Sequence, residues 1–262
     1  MEILIQNIRM RVFEPNLEAL KKTAVDAGKA ILQFYKKDTI GLEKKADNSP
    51  LTLADKAAHK VIVTGLKPFG IPILSEEGQV FPYLTRKAWD YYWLVDPLDG
   101  TKEFIKGNGE FTVNIALIHK GKAILGVVYA PVLDWLYWGR INDGAWKCEG
   151  NGDTVPINVS KESQVRCIVA SRSHLNEDTK KVIEKYPNAE MVSMGSSLKL
   201  LLIAEGKAEL YPRLAPTMEW DTAAAHAIVN AAGGKVFMLD SEDELVYNKE
   251  DLLNPSFLVV NG

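Results

Sequence analysis

The sequence predicts an α+β protein organised as two α/β lobes, and three observations carry that reading. Helical 3–4 spacing of apolar residues opens at Leu17, strand-like alternation and a hairpin fill Phe111 to Arg140, and strands alternate with helices after Val165. The lobes divide near Val165, into residues 1–164 and 165–262, and share an interface. A chain of 262 residues can bury a substantial core in this arrangement.

Asn16 is placed to cap a helix whose residues Leu17, Leu20, Ala24, Ala27, Ile31 and Phe34 share one face. A strand-like stretch from Ile40 to Lys44 precedes the turn Asp47-Asn48-Ser49-Pro50. Thr52-Leu53-Ala54-Asp55 reads as a capping box opening a helix to about Leu66. Ile71 to Ser75 is a short apolar strand that ends at Glu76-Glu77-Gly78. The apolar run from Tyr91 to Val95 is a buried strand, and its exit, Asp96-Pro97-Leu98-Asp99-Gly100-Thr101, has the residues of a turn.

Alternation at Phe111, Val113, Ile115 and Leu117 marks the next strand. Ala123 to Tyr129 and Asp134 to Arg140 form a hairpin through Ala130-Pro131, and Glu149 to Asp153 is a surface turn. In the second lobe, strands at Val165 to Ser171, Ala189 to Met194 and Ala208 to Tyr211 alternate with helices at Asp178 to Tyr186 and Leu198 to Ala204. An alanine-rich helix from Thr222 to Ala232 ends at Gly233-Gly234. Strands at Val236 to Leu239 and Phe257 to Val260 complete the chain.

Composition narrows the function classes. A net charge of −3 supplies no basic field for a nucleic acid polymer. Two cysteines without a CxxC argue against a zinc site or disulfide framework and fit a reducing compartment. The segment from Met1 to Arg11 has an early acid and too short an apolar run for a signal peptide. No stretch approaches the ~20 apolar residues of a transmembrane segment. A cytoplasmic location follows as the expectation, with oligomeric state and peripheral membrane association left open.

The chemistry gathers at element ends. Glu76 ends a strand, Asp96 and Asp99 flank a proline turn, and Asp221 stands where the alanine-rich helix begins. Asp221 has an alternative reading as a helix cap, and Glu76 as a solvated turn acid. Four carboxylates give −4, and a bound phosphate adds roughly −2. Divalent cations are therefore needed before an anionic substrate can enter. Oxygen ligands without His or Cys select Mg²⁺, with Mn²⁺ as substitute, two or three per site. Two such ions activate water and stabilise the leaving oxygen of an in-line displacement. Thr101 is a poor base alone, but held by a carboxylate such as Asp55 it can relay a proton.

These residues resemble the inositol monophosphatase superfamily of Mg²⁺-dependent, lithium-sensitive phosphatases. The carrying motifs are Glu76-Glu77, Asp96 to Thr101, and Trp220-Asp221, in that order. The branch of 3′(2′),5′-bisphosphate nucleotidases is most similar. Its pattern is met by Lys102 to Ile105, Asn108 to Ala116, Gly195-Ser196-Ser197-Leu198-Lys199, Tyr211-Pro212-Arg213 and Leu252-Leu253-Asn254-Pro255.

The resemblance implies a layered αβαβα sandwich of the inositol monophosphatase and fructose-1,6-bisphosphatase type. It implies Glu76, Asp96, the Leu98 carbonyl, Asp99 and Asp221 as metal ligands, with Asp55, Glu76 and Thr101 catalytic. It also implies that the Gly100 and Thr101 backbone binds phosphate and that His174, Ser196, Lys199 and Arg213 contact the nucleotide. The expected reaction removes the 3′-phosphate of 3′-phosphoadenosine 5′-phosphate, a small-molecule substrate linked to sulfur assimilation. Inositol monophosphatase or fructose-1,6-bisphosphatase activity is the alternative within the superfamily. A non-catalytic nucleotide-binding regulator is the alternative of another class. Aspartyl-phosphate enzymes need acids two residues apart; here the gap is three, which makes water the nucleophile.

Overall fold

A computed structural model of the chain describes residues 13–35, 49–170 and 176–262. The strand expected at Ile40 to Lys44 lies outside these residues, as do Asp47-Asn48 of the following turn. Helix α1 (Leu17–Leu32) is capped by Asn16, whose side chain accepts from the Ala19 N–H at 3.1 Å. Helix α2 (Pro50–Leu66) begins earlier than its sequence signal suggests. Ser49 is its cap, accepting from the Thr52 N–H at 3.2 Å, and Pro50 sits where a missing N–H costs nothing. The expected capping box at Thr52 to Asp55 is therefore overturned, and Asp55 falls inside the helix.

A 3₁₀ turn (Lys67–Phe69) leads to β1 (Ile73–Ser75), α3 (Tyr83–Arg86), β2 (Tyr91–Asp99) and α4 (Thr101–Lys106). Then follow β3 (Thr112–His119), β4 (Lys122–Ala130), β5 (Trp135–Arg140), β6 (Gly144–Glu149) and β7 (Thr154–Ile157). These seven strands form one sheet in sequence order, parallel only between β1 and β2. Strands β6 and β7 have no counterpart in the sequence reading. β7 is an edge strand with three exposed residues and a proline, so it lacks an apolar alternation.

The remaining elements are β8 (Cys167–Ala170), α5 (Glu177–Ile183), β9 (Glu190–Ser193), α6 (Leu198–Ala204), β10 (Leu210–Arg213), α7 (Glu219–Ala231), β11 (Lys235–Met238) and β12 (Phe257–Val260). Their five strands make a second sheet in the order β11-β12-β10-β8-β9. Residues 158–166 join the two sheets.

Strand alternation sorts the first sheet into two cores. Trp93, Val95, Val113, Ile115 and Leu117 face α1 and α2, whereas Tyr92, Leu94, Ala116, Ile118 and Val128 face α6, α7 and the second sheet. The order is therefore a helix pair, a sheet, a second helix pair and a sheet, with α5 packed on β10. This is the αβαβα layering expected. Helix α7 is alanine-rich because it is buried within this sandwich. A Cβ on Gly126 of β4 would stand 2.0 Å from the Ala224 carbonyl oxygen, so only glycine lets the helix backbone approach so closely.

Candidate active site

Strand β2 carries its chemistry at its C-terminal end. It stays extended through Pro97 to Asp99, so the turn read there begins only at Gly100. Asp96 pairs with Asn114 and Asp99 with Thr112, leaving one extra residue on β2. Without this bulge Asp96 and Leu98 would share a face. With it, the Leu98 side chain joins the α1/α2 core, while Leu98 still borders the cleft. Gly100 then takes a left-handed φ of 98° and starts α4 at Thr101.

Parallel pairing of β1 with β2 sets Ser75 beside Val95, and the Glu76 N–H donates to the Val95 carbonyl at 3.1 Å. Glu76 thus follows β1 next to Asp96. Asp221 comes from the far half of the chain, inside the first turn of α7 rather than at its cap. Its Oδ2 accepts from the Met218 N–H at 2.9 Å. Carboxylate oxygens of Asp96, Asp99 and Asp221 all lie within 4.8 Å of one another. Donors on one octahedral Mg²⁺, at about 2.1 Å from it, stand roughly 3 to 4 Å apart. The trio is thus spaced to close on a cation.

The charges need one. Burial first, then Glu76, Asp99, Asp221 and Asp55, push the Asp96 carboxyl well above its usual range. Burial, reinforced mainly by Asp99, pushes Asp221 up to about 7. Asp55, buried on α2, is near enough for its charge to act on Asp96. An all-oxygen, mutually repelling donor set suits a hard divalent cation.

A cleft of about 290 Å³ opens over these acids, bordered also by Gly100, Thr101, Ser196, Lys199, Tyr211 and Arg213. Ser196, in a left-handed conformation with φ of 52°, donates its hydroxyl to Asp99 Oδ2. The Ser197 N–H donates to the same oxygen at 2.7 Å, and its hydroxyl donates to Asn114 Oδ1 at 2.8 Å. Ser197, Thr112 and Asn114 thus hold Asp99, a role absent from the sequence reading. A signal was present: Thr112 and Asn114 are buried polar residues two apart on a strand whose residues from Ile115 to Ile118 are all apolar.

Lys199 is not the solvent-facing helix lysine that its position alone suggests. It is buried, donates to the Ser196 carbonyl, and burial pushes its ammonium down to about 8. Arg213 folds into its own loop, with Nε donating to Thr217 Oγ1 at 2.7 Å and Nη2 to the Pro216 carbonyl at 3.1 Å. His174 lies outside the described residues.

The decisive match is to a family model. The model of the inositol monophosphatase family covers residues 13–261. The chain belongs to the inositol monophosphatase family. Enzymes of that family are metal-dependent, which agrees with the acid trio. Within the family, the 3′(2′),5′-bisphosphate nucleotidase CysQ of Escherichia coli strain K12 is 47% identical over 251 residues, spanning 93% of this chain and 98% of that protein. The Haemophilus influenzae protein of the same name is 37% identical over 244 residues, spanning 90% and 89%. The crystal structure of CysQ from Bacteroides thetaiotaomicron has a TM-score of 0.86 at 47% identity, covering 93% of this chain and 96% of that one. An inositol monophosphatase from Zymomonas mobilis shares the fold at 21% identity, with a TM-score of 0.74 and coverage of 93% and 91%. Among the described residues no helix is long and apolar enough to cross a membrane.

Proposed function

We propose that this protein is a Mg²⁺-dependent 3′(2′),5′-bisphosphate nucleotidase that converts 3′-phosphoadenosine 5′-phosphate to AMP and phosphate. The carrying observation is that one cleft brings the acid trio together with Lys199 and Arg213, in a chain 47% identical to CysQ proteins. A monophosphate has no need of that second cationic side.

In this reading Glu76, Asp96, Asp99 and Asp221 hold the cations with the Leu98 carbonyl, and Mn²⁺ substitutes for Mg²⁺. When bound, the cations neutralise the cluster and act as Lewis acids toward the transferring phosphoryl group. Thr101, oriented by Asp55, accepts a proton from the attacking water as it passes its own hydroxyl proton to the Asp55 carboxylate, with Glu76 on the same side. The water oxygen bonds to phosphorus, the bond from phosphorus to the ribose 3′-oxygen breaks, and that oxygen takes its proton from solvent water as it leaves. Main-chain N–H groups at Gly100 and Thr101 bind the phosphate oxygens. Ser196, Lys199, Arg213 and His174 take the rest of the nucleotide, with Lys199 and Arg213 on the second phosphate.

A phosphate-release assay with Mg²⁺ compares 3′-phosphoadenosine 5′-phosphate, its 5′-phosphosulfate analogue, inositol 1-phosphate and fructose 1,6-bisphosphate. The bisphosphate nucleotide is expected to give the highest kcat/KM. Preference for a sugar phosphate overturns the substrate assignment. Binding of the nucleotide without turnover at any Mg²⁺ concentration overturns the enzyme assignment.

A further inference from the structure

The chemistry above makes no use of the Leu252 to Pro255 motif. In the fold this motif reaches the base of the helix that bears Asp221. Leu253 bridges Met218, and the Asn254 side chain donates to the Met218 carbonyl and to Thr222 Oγ1, both at 3.0 Å. The Glu219 N–H donates to the Leu252 carbonyl at 2.9 Å. Glu219 itself is 0% exposed. Its carboxylate accepts from the main-chain N–H groups of Asn248 at 2.7 Å and Lys249 at 3.0 Å, and from Lys249 Nζ at 2.6 Å. Lys249 Nζ also donates to Asn254 Oδ1 at 3.2 Å. Residues 246–254 therefore grip α7 on both sides of Asp221.

The same strap is tied to the segment that follows Glu76. The buried Arg86 guanidinium donates to Asn248 Oδ1 at 2.9 Å, to the Lys249 carbonyl at 3.0 Å and to the Glu250 carbonyl at 3.2 Å. Its Nε donates to the Phe81 carbonyl at 3.2 Å, and Asn248 Nδ2 donates back to the Arg86 carbonyl at 2.8 Å. Burying an ion costs several kcal/mol even after relaxation. Apolar packing would hold these loops more cheaply. What a saturated polar network adds is fixed geometry, and a planar guanidinium fork adds the most.

We propose that Arg86, Glu219, Lys249 and Asn254 form a positioning strap that sets the separation of Glu76 from Asp221 and thereby the cleft's affinity for its divalent cation. The proposal rests on the metal-site reading given above. None of the four touches substrate or metal; they act through the two acids.

Two full-length variants test it, with Asp99→Asn as control. Asn248→Gly keeps the left-handed backbone at φ of 69° while deleting both side-chain bonds to Arg86. The double variant Glu219→Gln, Lys249→Met removes the buried Glu219 charge and its half-buried Lys249 partner together. Free Mn²⁺ is followed by electron paramagnetic resonance during titration, beside thermal midpoints without metal and the Mg²⁺ dependence of kcat. Mn²⁺ affinity is expected to weaken roughly 10-fold in both variants, as for residues that orient metal ligands. The Mg²⁺ needed for half-maximal activity should rise in proportion, with kcat at saturating Mg²⁺ unchanged. Lower thermal midpoints with unaltered Mn²⁺ affinity would mean a structural role only and overturn the proposal. Should the double variant not fold, Asn248→Gly decides alone. Unaltered Mn²⁺ binding in Asp99→Asn would instead overturn the metal-site reading itself.

Discussion

Burial pushes the Lys199 ammonium down to about 8, with Asp99 opposing that shift and Arg213 adding to it. The folded value lies below the ordinary lysine value of 10.5, so carrying the charge costs stability below about pH 8. That cost is relieved as pH rises toward 10.5. With Lys199 on the second phosphate, as proposed above, substrate binding runs the other way, because that phosphate would lose its partner as Lys199 deprotonates. KM for the bisphosphate nucleotide is therefore expected to climb above pH 8, and Lys199→Arg should flatten that limb. Lys199→Met should raise this KM by roughly 10- to 100-fold, the size of one charge-assisted hydrogen bond, and spare a monophosphate substrate. An unchanged KM in that variant would remove Lys199 from the second-phosphate site. At this scale the convergence of Asp96, Asp99 and Asp221 was legible in the sequence, because all three stand in the last residues of a strand or the first turn of a helix. The link between Thr112 and Ser197 was not: the polar pair on β3 marks Thr112 as unusual, but a hydrogen bond between residues 85 apart leaves no local sign of its partner.

Elements with strong periodicity, such as α1, α6 and β12, lie almost where their apolar spacing puts them. Departures have local causes. Asp221 enters α7 because the Met218 N–H, which its carboxylate caps, sits three residues earlier. β2 runs on past Pro97 because a bulge, not a turn, absorbs the proline. Helix α7 itself illustrates a tolerance limit. With the Ala224 carbonyl 2.0 Å from a Cβ on Gly126, Gly126→Ala must push the helix off the sheet. A loss of about 1–3 kcal/mol or more is expected from such overpacking. The displaced α7 carries Asp221, so urea midpoint and Mg²⁺ requirement should worsen together. A midpoint equal to the parent protein's would show that α7 can shift at little cost.

For the whole molecule the proposed metal site would act as a cross-link. Asp96 and Asp99 come from the first sheet and Asp221 from α7, so a cation held by this trio, as proposed above, would join parts far apart in the chain. Mg²⁺ at a hundredfold excess over its Kd should stabilise the fold by about 2.7 kcal/mol. The thermal midpoint should rise by several degrees and fall back with a chelator. Asp221→Asn should lose most of that rise, and a full rise in this variant would place the ion elsewhere. The layering also sets an order of events during synthesis. Tyr92, Leu94, Ala116, Ile118 and Val128 are all translated long before α7, the helix that covers them. At ~5–20 residues per second the growing chain carries that bare apolar face for several seconds. For that interval the nascent first sheet exposes an aggregation-prone face, and arrival of one alanine-rich helix both seals that face and delivers the last acid of the cluster.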